Sequence, residues 1–167
     1  GETEYVVGIA AQAQMRAGSG QPPILALVCH ADLMLGAGVV DVIEAHRELA
    51  PDLLRGLRHS TAFYPDPPAV YRYAGRTEGL MMDEKFRDGF THLAPLGLSF
   101  DAWLLHPQIK ELIDLAGEFP DTTIVFDHFG GPLGIGPYEN KQAEIFVPWK
   151  RDVAKLAKNP NVVAKLG

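Results

Sequence analysis

Five short apolar runs, each parted from the next by a stretch of helical periodicity, constrain the fold of this chain most. They lie at residues 24–28, 54–58, 98–105, 123–126 and 162–166. The runs are mostly not alternating, which suits strands covered on both faces. Between them the period changes to that of an amphipathic helix. Val39, Val42, Ile43, His46 and Leu49 share one face, and Pro51 stops that helix. Ile109, Leu112, Ile113, Ala116 and Phe119 form a second stripe, closed by Pro120. Trp149, Val153, Leu156 and Ala157 form a third, with Pro148 near its start and Asn159-Pro160 at its end. Residues 82–93 and 2–16 also read as helices. The order is then α-β repeated five times, which predicts parallel strands with right-handed crossovers. Residues 18–23, 64–68 and 130–137 read as loops, rich in glycine and proline.

The polar residues gather at one end of each run. The first run leads into Cys29-His30-Ala31-Asp32, the second into Arg58-His59-Ser60-Thr61. The third carries Asp101 and Trp103 and ends in His106-Pro107-Gln108. The fourth, Ile-Val-Phe, ends in Asp127-His128 and then turns through Gly130 and Gly131. Ligands and chemistry sit at the carboxyl ends of strands in α/β proteins. Histidine suits that position, because it exchanges protons near neutral pH and its neutral ring binds metals. Adjacent strand side chains point to opposite faces, so one of Asp127 and His128 faces the interior; the expectation is His128. Arg58 ends a buried strand, where a guanidinium needs an anion. It either grips a substrate carboxylate or pairs with Asp101, and His59 accompanies it. Trp103 reads as core or pocket wall, Cys29 as core, Asp32 as a turn cap, and His30 as a structural residue. His46 and His92 lie within helices and receive no role.

The 167 residues allow one domain with a real core. The net charge is −6, with lysine and arginine scattered singly, so nucleic acid is not expected as a partner. No apolar run approaches the roughly 18 residues of a membrane span, and none reads as a secretory leader. The single cysteine rules out an internal disulfide and fits a reducing compartment, hence a cytoplasmic location. The run from Gly130 to Gly136 is not a phosphate loop. No helix follows at once, Pro132 and Pro137 remove donors, and no Gly-Lys-Ser/Thr ending occurs. There is no Gly-x-Ser-x-Gly elbow and no Cys/His zinc spacing.

Three segments carry a family resemblance. Leu54 to His59 (Leu-Arg-Gly-Leu-Arg-His), Leu98 to Gln108 (Leu-Ser-Phe-Asp-Ala-Trp-Leu-Leu-His-Pro-Gln) and Phe126 to Pro132 (Phe-Asp-His-Phe-Gly-Gly-Pro) together resemble the amidohydrolase 2 group of the amidohydrolase superfamily. That group includes dicarboxylate lactonases and related decarboxylases. The resemblance implies a (β/α)8 TIM-barrel hydrolase. His106 then resembles the histidine after the fifth strand, a metal ligand, and His128 the one after the sixth, placed with Asp127 in catalysis. Arg58 resembles a strand-four arginine that holds a substrate carboxylate, with His59 and Trp103 beside the substrate. The cofactor implied is one divalent metal ion, zinc or similar, although some lactonases of this kind work without one. The family's His-x-His is absent from this chain. A barrel of this kind takes about 250 residues, so residues 1–167 are expected to be a single-domain interior segment of about five βα units, lacking the first strands and the last, and inactive alone.

The function expected is hydrolysis of a lactone or related cyclic ester of a small organic acid. An amidohydrolase-fold decarboxylase is a close variant. The contrasting expectation is a five-stranded doubly wound domain that binds a ligand without catalysis. Strand order separates them, since a doubly wound sheet reverses its order. The partner expected is a small-molecule substrate, with no membrane and with homo-oligomerisation left open.

Overall fold

The computed structural model describes residues 1–16, 23–64 and 77–166. Five strands form one parallel sheet in the order β1-β2-β3-β4-β5: β1 Leu27–His30, β2 Leu54–Arg58, β3 Ser99–Ala102, β4 Ile124–Asp127 and β5 Val162–Lys165. The helices are α1 Glu2–Met15, α2 Val39–Leu49, α3 Glu84–Phe90, α4 Ile109–Glu118 and α5 Gln142–Leu156. The order is sequential, without the reversal that a doubly wound sheet needs, so that alternative falls.

One face of the sheet is sealed by helices. Cys29, Leu57, Phe100, Ala102, Ile124 and Phe126 point into it and join a single buried cluster with helix residues. In α4 the inward residues are Ile109, Leu112, Leu115 and Ala116, the spacing of one helical stripe. Aromatic rings fill the centre: Phe90 lies 5.1 Å from Phe100 and 4.9 Å from Phe119, in edge and tilted contacts. Before α2 a 3₁₀ segment, Leu33–Gly38, is capped by the Asp32 carboxylate, which accepts from the Met34 amide. Here α3 comes so close that a Cβ on Gly89 would stand 2.2 Å from the Leu33 carbonyl oxygen. Glycine is therefore required there, and this contact locks the β1 crossover to α3.

Several boundaries differ from the periodicity reading. β1 begins three residues later than expected, because pairing starts only where the Leu27 amide meets the Leu53 carbonyl. It runs on into His30, a polar residue that the apolar pattern left outside. β3 stops at Ala102, where its partner β4 reaches Phe126 and the Trp103 amide turns back to the Asp101 carbonyl. Residues 103–105 then lead into a 3₁₀ turn, His106–Gln108. α3 is shorter than its pattern, with a separate 3₁₀ turn at Leu80–Met82. Pro148 lies inside α5, not near its start. The carbonyl it would clash with, four residues back, belongs to Glu144 in the first turn, where the helix yields most easily. Two 3₁₀ turns, His128–Gly130 and Gly136–Tyr138, overlap the two ends of the loop expected at 130–137. Most of the loops expected at 18–23 and 64–68 lies outside the described residues.

Candidate functional site

Strand alternation sends the other half of the side chains to the face without this core. Registered pairs Val28–Gly56 and Gly56–Ser99 lie low on that face, and His30–Arg58 and Arg58–Asp101 lie at its carboxyl end. On the next two strands Asp127 and Lys165 pair one step further up. A bulge at Arg55-Gly56 makes the parity work. It lets both Leu54 and Leu57 reach the core, so that Arg58 faces away from it.

Four charges meet there. Arg58 Nη2 donates to Asp101 Oδ2 at 3.1 Å and to Asp127 Oδ2 at 2.8 Å. Lys165 Nζ donates to the same Asp101 oxygen at 3.2 Å and lies 3.8 Å from Asp127 Oδ1. The two carboxylates are sealed, with side-chain exposures of 3% and 0%, while Arg58 and Lys165 are 40% and 46% exposed. Buried acids thus hold two cations whose other sides stay open. Asp127 Oδ1 and Arg58 Nε are buried without a hydrogen bond to a described residue. A cavity of about 410 Å³ adjoins this group, bounded by His30, Arg58, Ser60, Asp101 and Lys165, with Thr3 and His46 also lining it.

The structure distributes the expected site residues unevenly. Of the adjacent pair it is Asp127, not His128, that faces inward. His128 is exposed and begins a left-handed turn, with φ values of 50°, 52°, 73° and 44° from His128 through Gly131. Residues with side chains adopt this region only at a cost of about 1–2 kcal/mol each. The turn is held by Trp149, whose indole donates to the Phe129 carbonyl at 2.8 Å. The reversal takes His128 out of the strand's alternation, so no period-two pattern could have placed it. His59 leaves Arg58 as well. Its Nδ1 accepts the Leu33 amide at 3.2 Å and its ring packs on Phe86 at the helix-covered side. Trp103 packs with a small cluster of Ala62, Tyr64, Leu105 and Leu133 above the strand ends.

His106 Nδ1 accepts the Leu133 amide at 3.2 Å, and its ring stands edge-on to Tyr138. Burial pushes both His59 and His106 below the usual imidazole range; a nearby Asp32 opposes the shift at His59. Neutral rings whose Nδ1 accepts an amide carry their proton on Nε2. Neither His106 nor His128 borders the cavity beside Arg58.

Two residues escaped the sequence reading. Lys165 ends β5 as Arg58 ends β2, and that parallel was the signal available. Gln108 is buried and ties two loops together. Its carbonyl oxygen accepts the Phe63 and Leu105 amides, and its amide donates to the Phe63 carbonyl. Nothing in a lone glutamine of a His-Pro-Gln run signals this.

A sequential parallel sheet of this kind has counterparts among known proteins. The model of the Amidohydrolase family (Amidohydro_2) matches residues 8–167. The chain belongs to the amidohydrolase family. It is 30% identical over 166 residues to the uncharacterized protein y4mH of Sinorhizobium fredii (strain NBRC 101917 / NGR234), covering 99% of this chain and 49% of that protein. Among solved structures it is similar to an amidohydrolase from Burkholderia multivorans with bound zinc, at a TM-score of 0.69 and 22% identity over 99% of this chain and 49% of the other. A second crystal form of that protein, with bound HEPES, gives a TM-score of 0.64 at 22% identity, over 95% of this chain and 49% of the other. The amidohydrolase chain thus has the strand arrangement of a TIM-barrel amidohydrolase and spans about half the length of these relatives.

The described residues do not fit a metal ion as placed. Among the described residues no three His, Cys, Asp or Glu side chains converge as ligands. The Oδ2 atoms of Asp101 and Asp127 are taken by Arg58 and Lys165, and the Nδ1 lone pair of His106 is occupied by an amide. No helix among the described residues is long and apolar enough to cross a membrane.

Proposed function

We propose that the protein is a hydrolase of the amidohydrolase superfamily and opens a lactone or related cyclic ester of a small organic acid. Residues 1–167 then form an interior segment of about five βα units of its barrel. The observation that carries the reading is the charged group at the carboxyl ends of β2 to β5, beside a cavity large enough for a small ring. Family membership supplies the reaction class; the cavity supplies the place.

The roles follow from which atoms stay open. Arg58 and Lys165 face the cavity, so their free N–H bonds meet the substrate's carboxylate or the oxygen that gains charge as water adds. Asp101 and Asp127 hold these cations still, so little reorganisation accompanies the reaction. Hydrolysis by this route does not pass through a metal held by the described residues. The Burkholderia multivorans relative has bound zinc, and a metal-dependent route in this protein would draw on ligands outside this group.

Proton release from γ-butyrolactone, D-glucono-1,5-lactone and paraconic acid, a lactone that carries a carboxylate, tests the reading. The full-length protein is expected to open the carboxylated ring at least tenfold faster than γ-butyrolactone, before and after dialysis against a chelator. Failure to open any of the three contradicts the proposal. Activity lost on dialysis and restored by zinc assigns the reaction to the metal-dependent route.

A further inference from the structure

The four residues from His128 through Gly131 all have left-handed backbone, and two of them carry side chains. Such conformations persist only where the surroundings over-determine them, and they gather at functional sites. β4 is paired on both sides, so this turn does not owe its shape to a sheet edge. Its effect on the chain is definite. Asp127 faces the charged group, so extended backbone would send His128 to the side of Phe126, into the apolar cluster under the helices. The positive φ at His128 turns it out of that layer and leaves it exposed, one residue beyond Asp127 at the carboxyl end of the strand.

The turn is held from several sides. A Cβ on Gly130 would stand 2.8 Å from the Phe126 ring and 3.0 Å from Ile109 Cδ1. A Cβ on Gly131 would stand 3.3 Å from the Leu104 carbonyl oxygen. The two glycines thus let the turn press onto β4, α4 and the loop after β3. From α5 the Trp149 indole N–H donates to the Phe129 carbonyl at 2.8 Å. Phe129 is the second left-handed residue with a side chain, so this bond grips the backbone where the conformation costs most. The Trp149 ring lies tilted against Phe146, centroids 5.7 Å apart. Its bulk and its N–H therefore serve different neighbours.

We infer that Trp149 is a positioning residue for the reaction: through the Phe129 carbonyl it fixes the turn that presents His128 to a substrate bound at the charged group. This rests on the hydrolase reading above and adds the group that sets where His128 stands. Trp149 acts at one remove, by keeping a strained backbone from relaxing. A relaxed turn lets the imidazole drift, and a misplacement of about 1 Å costs up to about a hundredfold in rate.

The test separates the N–H from the bulk, in the full-length protein. Trp149→His places an Nε2–H where the indole N–H stands and gives up the six-membered ring. Trp149→Phe keeps a six-membered ring and gives up the N–H. At about pH 8, where the introduced imidazole is neutral, urea unfolding should rank Trp149→Phe the more stable. On whichever lactone the wild type opens fastest, activity should rank the two the other way. In Trp149→Phe kcat is expected to fall at least about tenfold with KM within about threefold, and Trp149→His should keep at least about threefold more kcat than Trp149→Phe. Amide exchange at Gly130 and Gly131 should speed up in Trp149→Phe more than in Trp149→His. In a His128→Gln background, Trp149→Phe should cost less than about twofold further, because both changes strike one group. A smaller loss in Trp149→Phe, activities that follow stability, unchanged amide exchange, losses that multiply, or a His128→Gln variant as active as the wild type each overturn the assignment. Those results leave the hydrolase reading standing. A wild type that opens no lactone removes both.

Discussion

The two faces of the sheet obey different rules. The face toward the helices is apolar and sealed: Leu57, Phe100 and Ile124 are wholly buried among other apolar side chains. The opposite face carries Val28 and Val163 at 37% and 50% exposure and gathers its charges at one end. On the first face stability comes from area and packing, so what matters is size and shape. On the second it comes from matched charge, so removing one partner matters more than removing both. The contrast separates frame from candidate site: the sealed face packs apolar side chains, and the open face holds two cations against a cavity.

The largest effect should come from the sealed face. Phe100→Ala removes a ring that contacts Phe86 and Phe90, and urea unfolding should show a loss of about 3–5 kcal/mol. The matching substitution on the open face, Val163→Ala, should change stability by less than about 0.5 kcal/mol. Equal losses at the two sites would break the contrast between the faces.

A smaller effect is expected where the strand ends meet their loops. Gln108→Ala leaves the Phe63 and Leu105 amides and the Phe63 carbonyl without their partner. The same unfolding measurement should give a loss of about 1–3 kcal/mol. It should also speed hydrogen exchange at Phe63 and Leu105 more than at Phe100. Unchanged exchange at those two amides would show that the loops are held by other contacts.

The pH dependence should be smaller still. Burial lowers the folded pKa of His59 and His106. Below the ordinary imidazole value of about 6.5 the unfolded chain therefore binds more protons than the folded one. Stability should be fully present above that value. It should decline as pH falls through the window down to the folded pKa, and level off beneath it. His106→Gln should flatten part of this decline in a series of unfolding curves between pH 7.5 and 5. A decline that is unchanged in the variant would place the titrating group elsewhere.

Much of the frame was legible in the sequence. The helical stripes of α2 and α4, the five strands and their parallel order follow from period and alternation, because burial is repetitive and leaves a repetitive trace. The site was legible in part. Arg58 announced itself as a charge ending an apolar run, and its pairing with Asp101 was one of the two alternatives open to it. The orientation of Asp127 and His128 was not legible. Residues 124–126 are all apolar, so the run does not show which face is inward. His128 is set by four successive left-handed residues, two of them not glycine, which the packing of Trp149 and Phe126 over the turn sustains. Lys165 was not singled out, since a lysine at a strand end is ordinary until a buried acid stands opposite. His30 borders the cavity, which its reading as a structural residue neither required nor excluded.

The account turns on Asp127 facing inward to hold Arg58, and a double-mutant cycle reads that pairing directly. Unfolding free energies would be measured for the wild type, Arg58→Met, Asp127→Asn and the double variant. Either single substitution strands a partner, and the half-exposed guanidinium tempers the loss. The predicted coupling is about 2 kcal/mol, near the upper part of the range for residues in one ion-pair network. The double variant should then be clearly more stable than the sum of the single losses implies. A coupling near zero, with the two losses simply adding, would contradict the inward placement of Asp127 and with it the charged site at the strand ends.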